Sequence, residues 1–276
     1  MTGTPPEPAT RVLEDRYSER FFSVFSWYVR RMFRKSFHGV RLDPESVGVL
    51  QSANDHDGPL IALGNHPGWW DPLVAVLLSR VYLPDRPMLA AMDRSELERF
   101  GILRRVGVFG INPDDPQSLP AQVDFLRDRF ATRPKATFWI TPQGGFTDVR
   151  SPVRLRPGAA SVAARLEREP AVLSLAMDYC FWNDRLPELC MRVVRLDGPD
   201  RGADAPSTTD WHRVMTAGMQ ANQDTLTEKV LRRDPEEWTS VLGEKRHQRT
   251  NPIYDVWLRL RGQSGKLGDA RERASQ

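Results

Sequence analysis

Cysteine is scarce in this chain: only Cys180 and Cys190 carry thiols among 276 residues. Two thiols in a chain of this size give no basis for a disulfide framework and no reason to invoke an oxidising compartment, so both read as reduced, buried side chains. Long hydrophobic runs are missing too. No stretch approaches the roughly 20 apolar residues that span a bilayer, so an integral membrane protein is not expected. Residues 1–10 lack the basic start and apolar core of a signal peptide, and residence on the cytoplasmic side is the corresponding expectation. There is no zinc-ligand spacing, no Walker loop and no dinucleotide fingerprint, so neither a metal nor a permanently bound cofactor is expected. The net charge of +3 is mildly basic, short of the clustered basicity that nucleic-acid binding requires.

What the chain does have is enough apolar content, 40%, to bury a substantial core as one domain with terminal extensions. Residues 1–16, proline-rich between Thr2 and Pro8, read as a loose N-terminus, and the polar residues 262–276 as a loose tail. Between 38 and 261 a single domain is expected. Within it short apolar runs alternate with helical patterns: 60–64 then 73–83, 88–92 then 95–106, 108–111 then 119–130, 136–141 then 158–167. Two closely spaced runs follow, 172–179 and 189–196, and the chain turns helical again from Thr208, with Pro235 and Pro252 as punctuation. Strand-helix alternation predicts an α/β fold with a central, mostly parallel sheet flanked by helices, and the last pair an antiparallel hairpin at one side.

Residues 17–37 predict an N-terminal amphipathic helix. Phe21, Phe22, Phe25, Tyr28, Val29, Met32 and Phe33 recur at helical spacing, and Arg20, Arg30, Arg31, Arg34 and Lys35 fall opposite, with Val24 and Trp27 as exceptions. Such a helix fits a membrane surface, its apolar face in the acyl boundary and its cations on anionic head groups. A helix packed on its own domain would use the same face, so both readings stand at this point.

The run Gly64-Asn65-His66-Pro67-Gly68-Trp69-Trp70-Asp71-Pro72 sets a histidine and an aspartate in one short loop between a strand-like and a helix-like segment. A neutral imidazole accepts a proton near pH 7, and a carboxylate on its other nitrogen fixes the tautomer, so the pair predicts activation of a hydroxyl. The plainer alternative makes Asp71 an N-cap, followed by proline in the first turn, and His66 a loop residue.

Asn65, His66 and Asp71 match the Asn-His-x4-Asp motif of the PlsC-like glycerolipid acyltransferases, and the rest of the chain resembles that family in order and approximate spacing over residues 37–197. Gly107-Val108-Phe109-Gly110-Ile111-Asn112 approximates the second motif, and Phe138-Trp139-Ile140-Thr141-Pro142-Gln143-Gly144-Gly145-Phe146 the third. Arg154-Leu155-Arg156-Pro157-Gly158-Ala159-Ala160 and Pro170 to Ala176 stand where the family has a basic segment, a Gly-Ala-Ala helix and a proline-marked strand. The departures are specific. Gln143 replaces the family's glutamate, Gly145 its threonine and Phe146 its arginine, while Asn112-Pro113 stands where a further arginine is usual.

The resemblance implies a membrane-associated acyltransferase of lipid metabolism, an enzyme moving a fatty acyl group from acyl-CoA or acyl carrier protein to a lipid hydroxyl. His66 is the implied base and Asp71 its orienting partner. The acceptor implied by the family is a lysophospholipid of the 1-acylglycerol-3-phosphate type, as in phospholipid biosynthesis; the altered arginine and glutamate positions point instead to a hydroxylated lipid without phosphate, such as a glycolipid, a lyso-amino-acid lipid or a terpenoid glycoside. A non-catalytic lipid-binding surface protein is the other class of answer. Substrate contacts are expected from Asn65, Trp69, Trp70, Gln143, Gly144 and Gly145, with Arg150, Arg154 and Arg156 as replacement cations, and the enzyme is expected on the cytoplasmic face of the membrane.

Overall fold

The computed structural model describes residues 12–112, 114–115, 117–200, 205–243 and 260–261. In chain order the elements are α1 (Glu19–Ser36), β1 (Gly39–Leu42), α2 (Pro44–Asp55), β2 (Leu60–Gly64), α3 (Asp71–Tyr82), β3 (Met88–Asp93), α4 (Arg94–Arg99), β4 (Val108–Ile111), α5 (Ser118–Thr132), β5 (Thr137–Ile140), α6 (Gly158–Arg165), β6 (Ala171–Cys180), β7 (Glu188–Leu196), α7 (Thr208–Arg232) and β8 (Thr239–Ser240). The strands form one sheet in the order β4-β3-β5-β2-β6-β7-β1-β8. The run from β4 to β6 is parallel throughout. The α/β architecture expected from the alternation is therefore present.

Strand β2 is buried along its whole length, as parallel strands covered on both faces are. Its alternate residues serve two cores. Leu60 and Ala62 face α1, α2 and α3 through Phe33, Leu50 and Leu77, while Ile61 and Leu63 face α5, α6 and α7 through Leu126, Val162 and Met215. Each fully buried aliphatic or phenyl side chain contributes about 1.5–3 kcal/mol of transfer free energy, so a sheet clamped between two helical layers has a firm floor for its loops.

Three details differ from the sequence expectation. The antiparallel pair β6–β7 is inside the sheet rather than at its side, because β1 adds in parallel beyond β7 and β8 beyond that. The helix expected over 95–106 stops at Phe100 and continues as a 3-10 turn over Gly101–Val106, which ends at Gly107 with φ of +100°. A Cβ at Gly107 would meet the Met88 carbonyl oxygen, so only glycine fits there. Lastly, residues 12–16 of the segment expected to be loose are tied down. Leu13 exchanges two backbone hydrogen bonds with Gly110, and the buried Asp15 carboxylate accepts from Arg129 and Arg133 at 2.8 and 2.9 Å. Residues 1–11, Pro252 and the tail 262–276 lie outside the described residues.

α1 packs on the domain through Phe22, Val29 and Phe33, which are buried, and Ser18 caps its start. The face read as a candidate for membrane insertion is thus turned inward at Phe22, Val29 and Phe33, but not at Tyr28. Val24, Trp27 and Tyr28 point outward instead. Among the described residues no helix is long and apolar enough to cross a membrane.

Candidate active site

β2 ends at Gly64, and the next residue fixes the loop that follows. The Asn65 side chain donates to the Met177 carbonyl at 2.9 Å and accepts from the Met177 amide at 2.8 Å, extending the β2–β6 pairing by one side chain. Both polar ends are therefore engaged on backbone, and Asn65 positions the loop.

One residue on, His66 is bracketed by the loop after β5. Its amide donates to Gln143 Oε1 at 2.8 Å, and its carbonyl accepts from the Thr147 amide at 2.8 Å. Gln143, expected to contact substrate, has its carbonyl end engaged as a strut. An ionised glutamate would make the same bond, so the substitution keeps the geometry while removing a charge beside the imidazole.

The imidazole and Asp71 meet. His66 Nδ1 lies 2.7 Å from Asp71 Oδ2, which also accepts from the Gly68 amide at 3.0 Å; Asp71 Oδ1 accepts from the Tyr179 hydroxyl at 2.6 Å. A carboxylate taking three donors leaves Nδ1 as the protonated nitrogen and Nε2 as the acceptor, the tautomer a general base needs. The His66 side chain is 19% exposed and that of Asp71 1%, so the imidazole is reachable and its partner sealed. Asp71 is not the N-cap of α3: it is the first helical residue, Trp70 occupies the cap position, and no side chain caps that end. The carboxylate reaches back to the loop, which disfavours the plainer account of this residue.

Tyr179 was not legible as part of the site. It stands at the C-terminal end of β6, four residues past Leu175, which pairs with Gly64, so it overhangs the loop after β2. Burial first, then the Asp71 charge and the bond donated to it, push its hydroxyl well above the ordinary tyrosine value. It stays a donor at any working pH.

Aromatic rings frame the pair. Trp70 is edge-on to Phe37, 4.9 Å between centroids, and tilted on Phe33 at 5.2 Å, which locks α1 onto the loop. Trp70 is thus an anchor in the core, whereas Trp69, 65% exposed, projects outward and fits the expected substrate side. Phe146, in the place of the family arginine, lies 4.5 Å from the His66 ring, centroid to centroid.

The remaining expected residues are dispersed. Gly144 adopts φ of +72° and the Arg156 guanidinium packs over it, so glycine is required there. Its amide is used by the turn, donating to the Thr141 carbonyl. Gly145 is exposed with open space around it. Arg150 is engaged on the surface by Asp148 through two bonds of 2.8 Å, and Arg154 is exposed. Arg156 alone of the three is brought beside the Gln143 turn.

A small apolar cavity of about 110 Å³ opens beside Asp71, between α1, α3 and the sheet, lined by Phe25, Ala75, Leu103, Trp139 and Met177 among others. Among the described residues no group of three or more His, Cys, Asp or Glu is placed to hold a metal ion.

No curated protein matches the chain. Residues 44–178, which run from the start of α2 through Asp178, match the model of the acyltransferase family. That span contains the whole His66 loop, the Gln143 loop and the strands that carry them. A base held by a buried carboxylate on a parallel sheet, together with that match, identifies residues 44–178 as an acyltransferase-family domain of the PlsC-like type and the protein as an acyltransferase enzyme.

Proposed function

We propose that the protein moves a fatty acyl group from a thioester, acyl-CoA or acyl carrier protein, to a hydroxyl of a lipid, with His66 as general base. His66 Nε2 takes the acceptor's proton as its oxygen bonds to the thioester carbonyl carbon. The carbon–sulfur bond then breaks, and the thiolate leaves with the proton returned from His66. Asp71 balances the charge on the imidazolium between those events. The observation that carries this reading is the 2.7 Å contact of His66 Nδ1 with a buried Asp71, which leaves Nε2 as the proton acceptor of a partly exposed imidazole.

The cavity beside Asp71 supports an acyl-chain role. At about 110 Å³ it equals roughly the volume of four waters, room for the leading part of a chain, and a longer one would require Phe25 and Leu103 to part. The exposed Phe146, 4.5 Å from the His66 ring, and the exposed Trp69 of the same loop as His66 would shield a thioester from hydrolysis.

The family resemblance favours a lysophospholipid acceptor of the 1-acylglycerol-3-phosphate type, with Arg156 as the cation beside the Gln143 turn. A second reading, a hydroxylated lipid without phosphate, is favoured by Gln143 being bound to the His66 amide, Phe146 standing at the arginine position and Arg150 being held by Asp148. Enzyme offered a labelled acyl donor and a panel of lysophosphatidate, glycolipid and amino-acid-lipid acceptors separates the two by product mobility on thin-layer plates. Thiol release only when an acceptor is present supports transfer. Equal release without acceptor would refute it.

The enzyme is placed by this reading at the cytoplasmic face of a membrane, as a peripheral protein. Outward Val24, Trp27 and Tyr28 on α1, and Phe100 and Ile102 on the segment that packs against it, supply the apolar contact.

A further inference from the structure

Along one side of α1 the fold gathers positive charge into a groove. Arg30, Arg31, Arg34 and Lys35, with Arg80 from α3, line a surface depression of about 600 Å³. Several explanations internal to the fold account for only part of this. Arg34 and Lys35 lie in the last turn of α1, where the helix dipole favours cations, and Arg34 Nε donates to the Leu242 carbonyl at 3.3 Å. Arg80 approaches Glu19 only to 3.9 Å, and both side chains are substantially exposed. Arg30 is different: its Nε is buried and has no hydrogen-bond partner. A buried donor left without an acceptor is costly, so an unpaired one lining a depression marks a place where an acceptor from outside completes the site. The Arg30–Arg34 and Arg31–Lys35 pairs, four residues apart, also repel one another along the helix until a counter-charge arrives.

The groove carries hydroxyls as well, from Ser23 and Ser26, and Trp27, 65% exposed, stands at its edge. Both hydroxyls already donate within α1, Ser23 to Glu19 Oε1 at 3.3 Å and Ser26 to the Ser23 carbonyl at 2.9 Å, so it is the guanidinium forks that suit the tetrahedral oxygens of a phosphate. We infer that the α1–α3 groove is a binding site for a phosphate ester, separate from the His66 centre. The phosphate would be borne by an acidic phospholipid head group or by the nucleotide end of coenzyme A. Neither the assignment of His66 nor the acyl cavity enters this inference, so it stands or falls apart from the catalytic reading.

The full chain tests it with three probes: coenzyme A by titration calorimetry, and vesicles of phosphatidylglycerol or of phosphatidylcholine by co-sedimentation. Arg30→Gln with Arg34→Gln removes the groove's centre. Arg31→Gln with Lys35→Gln, both exposed side chains, repeats the test should the first pair disturb folding. Arg127→Gln with Arg213→Gln removes equal charge from α5 and α7 on the other face of the sheet. The expected result is saturable binding of coenzyme A or of phosphatidylglycerol vesicles, weakened at least roughly tenfold by a folded groove variant and unchanged by the control. Response to coenzyme A assigns the site to the donor; response to phosphatidylglycerol but not phosphatidylcholine assigns it to the bilayer. Binding of neither probe, equal losses in groove and control variants, or undiminished binding by folded groove variants would overturn it.

Discussion

The Tyr179 hydroxyl sits 2.6 Å from Asp71 Oδ1, on the oxygen that His66 does not use, so the two carboxylate oxygens are held by different strands' ends. Tyrosine, aspartate and histidine form one chain of hydrogen bonds. Removing its outer link leaves Asp71 buried with an unsatisfied oxygen and more freedom to rotate away from His66. Tyr179→Phe is expected to cost about 1–3 kcal/mol of stability and to lower kcat by on the order of tenfold with KM little changed. Urea unfolding and steady-state kinetics on the same preparation check both parts.

Asp71→Asn tests the inner link. Because Asp71 does not cap α3, the variant should fold, yet an amide can present a donor to Nδ1 and stabilise the wrong tautomer. Turnover is expected to fall by on the order of 10²–10⁴, with circular dichroism unchanged. A folded variant with full turnover would return Asp71 to a purely structural role.

Chain-length preference should follow the cavity beside Asp71. Ala75 lines it from α3, and Ala75→Leu would fill space at a packing cost of about 1–3 kcal/mol. Transfer from long-chain thioesters is expected to drop while transfer from short-chain ones persists. Competition between two donors of different length in one tube reads the ratio directly.

The strap at residues 12–16 makes stability depend on acid. Burial alone would raise the Asp15 carboxyl, but Arg133, the Tyr17 amide and Arg129 hold it below its ordinary value of 3.8. A carboxyl lowered in the folded state contributes stability that is fully present above the unfolded value and is lost as pH falls through the folded one. Thermal midpoints of the wild type should therefore fall as pH drops below about 4, and Asp15→Asn should flatten that slope while starting lower at neutral pH.

Much of the architecture was readable because the apolar runs between Leu60 and Leu196 are short and separated by helix-patterned stretches. β1 and α2 were not. β1 is four residues and contains Arg41, a buried charge whose Nε pairs with Glu188 at 2.9 Å, so its strand pattern is masked by an ion pair made 147 residues away. α2 includes Gly48 and ends in Asn54 and Asp55, which blur its apolar stripe. The wheel of α1 identified an apolar face, yet the side chains left in water are Val24 and Trp27, its exceptions, together with Tyr28. At the site, His66 and Asp71 were legible because they stand five positions apart; Tyr179 was not, since it stands 108 positions from Asp71 and only the β2–β6 register brings them together.

The most direct test is His66→Ala in the purified full chain, assayed for acceptor-dependent thiol release from a long-chain acyl thioester. A rate lower by on the order of 10²–10⁴, with an unfolding midpoint close to that of the wild type, is the predicted result. A folded variant that transfers acyl groups at the wild-type rate would contradict the assignment.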